Sequence, residues 1–178
     1  MLPKNQTSRR LAMGVLSTFL LSAVFGASPL TAFAHETECP FCTLPVVQDT
    51  ETQDNEVVLR YGRKRIEYRC VYCALAEAQS DRYSGDVTIL APSELKGKPV
   101  VITRKDGKWS VGPDKAVFVA VKNSHKHCQT TYRAFTNRAA FDQHIEKNAE
   151  LLRDAKPLTL EEMLRASTAK ATPATATN

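Results

Sequence analysis

The chain has 178 residues, 43% of them hydrophobic and 24% charged, with 24 Lys and Arg against 19 Asp and Glu. Three of the basic residues, Lys4, Arg9 and Arg10, fall in an N-terminal export signal, and without them the balance is 21 against 19. So small an excess gives no reason to invoke nucleic acid or an anionic membrane as a partner.

Residues 1–34 carry the marks of a cleaved signal peptide. Lys4, Arg9 and Arg10 form the positive region, Leu11 to Phe25 the apolar one, and Ala32-Phe33-Ala34 the small-x-small cleavage pattern. The apolar run is shorter than the roughly 20 residues of a membrane span, and no second run exists, so no membrane span is expected. Thr7-Ser8-Arg9-Arg10-Leu11 is a partial twin-arginine pattern, and an ordinary secretory signal explains it equally well. Glu36-Thr37-Glu38 before Cys39 is not a lipobox. A periplasmic or secreted protein is expected. Cleavage would leave His35 at the terminus, where its amine and imidazole together can chelate Cu(II), though a frayed end is the plainer reading. Residues 35–165 are read as one domain, and 166–178, an Ala/Thr/Pro-rich segment, as a disordered tail.

The domain opens on Cys39-Pro40-Phe41-Cys42, which is echoed by Cys70-Val71-Tyr72-Cys73. Each pair puts two sulfurs within reach of a single ion, and two pairs supply the four thiolates of a tetrahedral site. The first lies in a Pro-containing turn that suits a knuckle. The second ends a strand and opens a helix, whose N-terminus favours a thiolate electrostatically. A knuckle with a helix-start pair is the plan of treble-clef-like sites. In an oxidising compartment disulfides are the competing use of the same residues, with Cys128 left over as an odd fifth.

Between the pairs, Val57, Leu59 and Tyr61 alternate with polar residues, Gly62 turns, and Ile66, Tyr68 and Cys70 alternate again, which predicts a hairpin. Arg60, Arg63, Lys64, Arg65 and Arg69 are read as its solvated side and turn. A short Ala-rich helix follows from Cys73. Strands are predicted over Asp86 to Leu90, Lys98 to Arg104 and Lys115 to Val121, and Asp106-Gly107 is read as a hairpin turn leading to a core Trp109. The continuous apolar run Ala116 to Val121 predicts a central strand covered on both faces. Then comes Ser124-His125-Lys126-His127-Cys128, three soft or borderline ligands in four positions, which suit copper or zinc. A polar loop that happens to contain His is the alternative, and Cys128 as a nucleophile beside a His base is a further one without a supporting signature. Thr136 is the expected N-cap of a helix running through Phe141, Ile145 and Leu152, with His144 on its surface or packing side. Thr159-Leu160-Glu161-Glu162 has the form of a capping box before a short terminal helix.

With these pieces in place, residues 38–150 resemble the NosL-like family of periplasmic copper-binding accessory proteins of nitrous oxide reductase maturation and related heavy-metal-binding domains. The resemblance lies in Cys39-Pro40-Phe41-Cys42, in Tyr68-Arg69-Cys70-Val71-Tyr72-Cys73 before a helix, and in Ala116-Val117-Phe118-Val119 followed by a ligand-rich loop and Tyr132-Arg133-Ala134-Phe135-Thr136. It implies an α+β domain, a small antiparallel β-sheet with flanking helices in two ββα-like halves. It differs where the family tends to carry Gly-Met and a loop Met. Here those places hold Thr43-Leu44 and His125-Lys126-His127-Cys128, so thiolate and imidazole must replace a thioether.

These readings converge on a metal-binding protein rather than an enzyme. Its expected ligands are Cys39, Cys42, Cys70, Cys73, His125, His127 and Cys128, its ion Cu(I) or zinc, and its partner a periplasmic metalloprotein client or metal-transfer partner. The alternatives are a thiol–disulfide oxidoreductase working through Cys39 and Cys42, and a disulfide-stapled binding module without metal.

Overall fold

The computed structural model describes residues 37–46, 56–122, 130–152 and 154–171. The signal-peptide and tail expectations rest mostly on residues outside these, as do His35 and the whole His125–Cys128 stretch.

Strands β1 (Thr37–Glu38) and β2 (Pro45–Val46) form a minimal antiparallel ribbon around the first cysteine pair. The alternating segment folds into the expected hairpin of β3 (Val57–Tyr61) and β4 (Lys64–Tyr68), and helix α1 (Val71–Ala78) follows directly. Next come β5 (Val87–Ala91), β6 (Val100–Lys105) and β7 (Lys108–Gly112). Together these strands make a five-stranded antiparallel sheet in the order β4-β3-β5-β6-β7. Asp106 and Gly107 both take left-handed φ, 49° and 75°, the backbone that a two-residue turn between twisted strands requires.

Period-2 alternation decides which face is buried. Leu59 lies opposite Ile89, and Ile89 opposite Ile102, in a row of fully buried side chains across three strands. Burying each contributes about 1.5–3 kcal/mol relative to exposure. Helix α1 packs against this sheet, while β9 (Thr130–Phe135) and α4 (Leu160–Ala171) cover its other side, so every α1 residue is buried. That explains a helix made of Val, Tyr, Cys, Ala and Leu with one Glu.

The apolar run expected to be a central strand is β8 (Val117–Lys122), which pairs with β9 in a separate two-stranded sheet and meets Leu158 in an isolated bridge at Phe118. Its hydrophobicity has another cause. Phe118 points into the main core, whereas Val119 joins Phe135 and Phe141 in a second cluster beneath helix α2 (Arg138–Lys147). Helices, not neighbouring strands, cover its two faces. The α+β class is borne out, and the order hairpin-then-helix occurs twice, as β3-β4-α1 and β8-β9-α2.

Two helix limits differ from expectation. The N-cap of α2 is Asn137, whose Oδ1 accepts from the Ala140 amide at 3.0 Å, while the Thr136 hydroxyl donates to Glu94. The helix ends at Asn148, with α3 (Ala149–Leu152) as a separate turn before Pro157. The Thr159–Glu162 capping box does form: the Thr159 amide donates to Glu162 Oε2 at 2.7 Å and the Glu162 amide to Thr159 Oγ1 at 3.3 Å. Helix α4 then continues past Arg165, because buried Ser167 and its neighbour Thr168 bond to Gln79 at the end of α1.

Candidate metal centre

The first knuckle is shaped by its own backbone. The Cys39 amide donates to the Leu44 carbonyl at 2.9 Å, and the Thr43 amide to the Cys39 carbonyl at 2.8 Å. Closing so tight a turn forces Thr43 to φ 61°, an uncommon conformation for a β-branched residue. Both sulfurs of the knuckle point inward, and Cys39 and Cys42 are 0% and 1% exposed.

The second pair sits where the hairpin becomes a helix. Cys70 is the extended N-cap of α1, with no side-chain cap bond, and Cys73 lies on the first turn. Helix geometry therefore aims Cys73 back over the turn that Cys70 begins. The Sγ atoms of Cys70 and Cys73 are 3.5 Å apart.

Three ties bring the knuckle onto the helix start. Arg69 Nη1 donates to the Pro45 carbonyl at 2.9 Å, Thr37 Oγ1 to Glu67 Oε2 at 3.4 Å, and Phe41 meets Tyr72 edge-on at 5.9 Å between ring centroids. Arg69 is thus not part of the hairpin's solvated side. It joins the two cysteine pairs. The aromatics inside the two motifs, Phe41 and Tyr72, pack on each other, and Tyr72 stacks on Tyr132 of β9 at 5.4 Å.

As a result, the sulfurs of Cys39, Cys42 and Cys73 all lie within 4.8 Å of one another, and all three residues are buried. Cys70 is outside that group but adjacent to it through Cys73. A metal–sulfur bond of about 2.3 Å puts ligand sulfurs roughly 4 Å apart, so little movement separates this arrangement from a metal-binding one. Among the described residues the cysteines are thiols, not cystines. A stapled framework is not what the pairs form.

The fold has a solved counterpart. It is similar to the crystal structure of the mercury-bound form of MerB2, with a TM-score of 0.51 at 20% identity, over 64% of this chain and 56% of that one. The chain thus spans little more than half the length of the protein it matches. No family model and no curated protein matches the sequence, so nothing in the comparisons supports the NosL-like resemblance. The metal-binding reading stands on the cysteine cluster. The expectation that the chain is not an enzyme is corrected by the same match, since the MerB2 neighbour points against that exclusion.

Two polar residues near the cluster have no site role in the sequence pattern. Glu77, one turn after Cys73, is 4% exposed and pairs with Arg82. Burial raises its carboxyl above the usual range, Arg82 works in the opposite direction, and the charge of Cys39 adds to the rise. Tyr68, fully buried, lies 3.4 Å from the Tyr83 hydroxyl, and burial keeps its phenol firmly protonated. The i, i+4 spacing of Cys73 and Glu77 was the available signal. Of the expected ligands, His125, His127 and Cys128 lie outside the described residues.

Proposed function

We propose that the chain is an exported protein that binds a soft heavy-metal ion through thiolates, takes copper(I) as its ion, and passes it to a metalloprotein client. The observation that carries this reading is the meeting of Cys39 and Cys42 with Cys73, more than thirty residues away in sequence, as three buried thiols. Sulfur donors in a dry site favour Cu(I) and other soft ions over oxygen-seeking ones. Thiolate ligands also permit stepwise exchange with an incoming thiol, which is the chemistry of hand-over. The NosL-like pattern supports the same ion and a periplasmic setting, and His125, His127 and Cys128 are donors of the same soft or borderline class. Zinc is the rival ion, held structurally.

Anaerobic purification of the mature chain, with bound metal and reactive thiols counted together, tests the reading. One Cu(I) per chain with a matching loss of reactive cysteines is expected. Full thiol reactivity in the presence of excess Cu(I) would end it.

The fold shared with a mercury-bound protein favours a second reading, an enzyme that acts on a mercury compound at the same thiols. Repeated turnover of an organomercury substrate to inorganic mercury in the presence of a small thiol would establish it. A single stoichiometric capture would leave the chain a binder.

A further inference from the structure

The four paired cysteines are not equivalent, and their arrangement points to the number of ligands. Resting on the reading of the cluster as a metal site, we infer that the ion is held by three thiolates, from Cys39, Cys42 and Cys73, while Cys70 stays outside the coordination sphere beside Cys73.

Geometry comes first. Cys39, Cys42 and Cys73 form one mutual group within 4.8 Å, and Cys70 does not belong to it although its sulfur is 3.5 Å from that of Cys73. The separation has a backbone cause. Cys70 is the extended N-cap residue, outside the helix, and Cys73 is one helical turn on. A knuckle tied down by Arg69 and by the Phe41–Tyr72 contact meets Cys73 first.

Charge gives the second reason. All four cysteines are at most 1% exposed, and a buried anion is costly unless compensated. A fourth thiolate would add charge to a site already anionic. Three sulfurs in a plane suit Cu(I) and Hg(II), and leave Zn(II), which favours four ligands, short of one.

The test loads the wild-type chain and single variants with Cu(I) under anaerobic conditions, measuring affinity by competition with a chromogenic chelator and sulfur count by X-ray absorption. Three sulfur neighbours are expected in the wild type and in Cys70→Ser, with affinities within about threefold. Cys39→Ser, Cys42→Ser and Cys73→Ser should each lose at least a hundredfold. Circular dichroism of the apo forms separates loss of a ligand from loss of fold, and Cys→Ala at the same positions gives a second set. A fourth sulfur in the wild type, or a Cys70→Ser loss as large as the others, overturns the three-thiolate site but leaves the metal reading intact. A wild type that binds no Cu(I) removes both.

Discussion

Arg69 reaches from the end of β4 to the carbonyl of Pro45, 2.9 Å away, and so fastens the knuckle that holds Cys39 and Cys42 to the helix start that holds Cys73. The contact spans twenty-four positions of sequence. Without it the knuckle is a two-residue ribbon whose approach to Cys73 must be closed against chain entropy each time an ion binds.

Arg69→Ala is therefore expected to weaken Cu(I) binding by about tenfold, the equivalent of about 1.4 kcal/mol, while costing the folded domain only about 1 kcal/mol. Arg69→Lys should recover part of the affinity, because an ammonium reaches the carbonyl without the planar fork. Chelator competition and urea unfolding check the two halves separately. Equal losses in stability and affinity would count against a docking role.

Thr43→Gly should stabilise the apo protein. Thr43 holds φ at 61°, where a β-branched side chain costs about 1–2 kcal/mol, while glycine adopts it without steric penalty but loses more chain entropy. The balance is a gain of about 0.5–1 kcal/mol, visible as a rise of a few degrees in Tm. Thr43→Ala, which keeps the Cβ, should give no such rise.

Glu77→Gln tests the buried acid. The folded state raises the carboxyl above its ordinary value of 4.5, so it favours the protonated form. Its contribution is complete at pH below that value and is lost as pH rises through the higher folded value. Glutamine, which does not titrate, escapes the loss. The stability difference between Glu77→Gln and wild type should grow in favour of the variant from about pH 4 to about pH 7, measured by denaturant unfolding of the apo protein under reductant. A pH-independent difference would show that Arg82 offsets burial in full.

Arg104→Met should be the most damaging of these changes. The Arg104 guanidinium bonds the carbonyls of Ala78, Tyr83 and Gly85, closing the C-terminal end of α1, and lies over the Trp109 ring at 5.4 Å. Its removal orphans several partly buried carbonyls at a helix end, a loss of about 3 kcal/mol. Because α1 carries Cys73, Cu(I) affinity should fall as well. Unfolding midpoints with and without Cu(I) read both effects.

Local pattern carried the elements. Alternation at Val57, Leu59 and Tyr61 marked a strand, Asp106-Gly107 marked a turn, and Thr159 with Glu162 marked a cap, because each signal is written within a few residues of its effect. The two Cys-x-x-Cys motifs were equally plain as chemistry. Their spacing gave the donor type and the likeness of each half to a knuckle or a helix start.

What local pattern misassigned was the environment of each element. The apolar run of β8 looks the same whether strands or helices cover it, and the basic residues after Gly62 look the same whether they face water or, like Arg69, a carbonyl twenty-four residues back. Periodicity records how much of a residue is covered and says nothing of what covers it.

The sequence by itself determined that sulfur would be the donor and that it would come in two pairs, since composition and i, i+3 spacing are properties of the chain. Only the tertiary structure decided that Cys39, Cys42 and Cys73 meet while Cys70 stands one contact away. That division depends on the angle at which a knuckle docks on a helix end. Docking angles are set by long-range contacts such as Arg69 with Pro45 and Phe41 with Tyr72, which no short stretch of sequence contains.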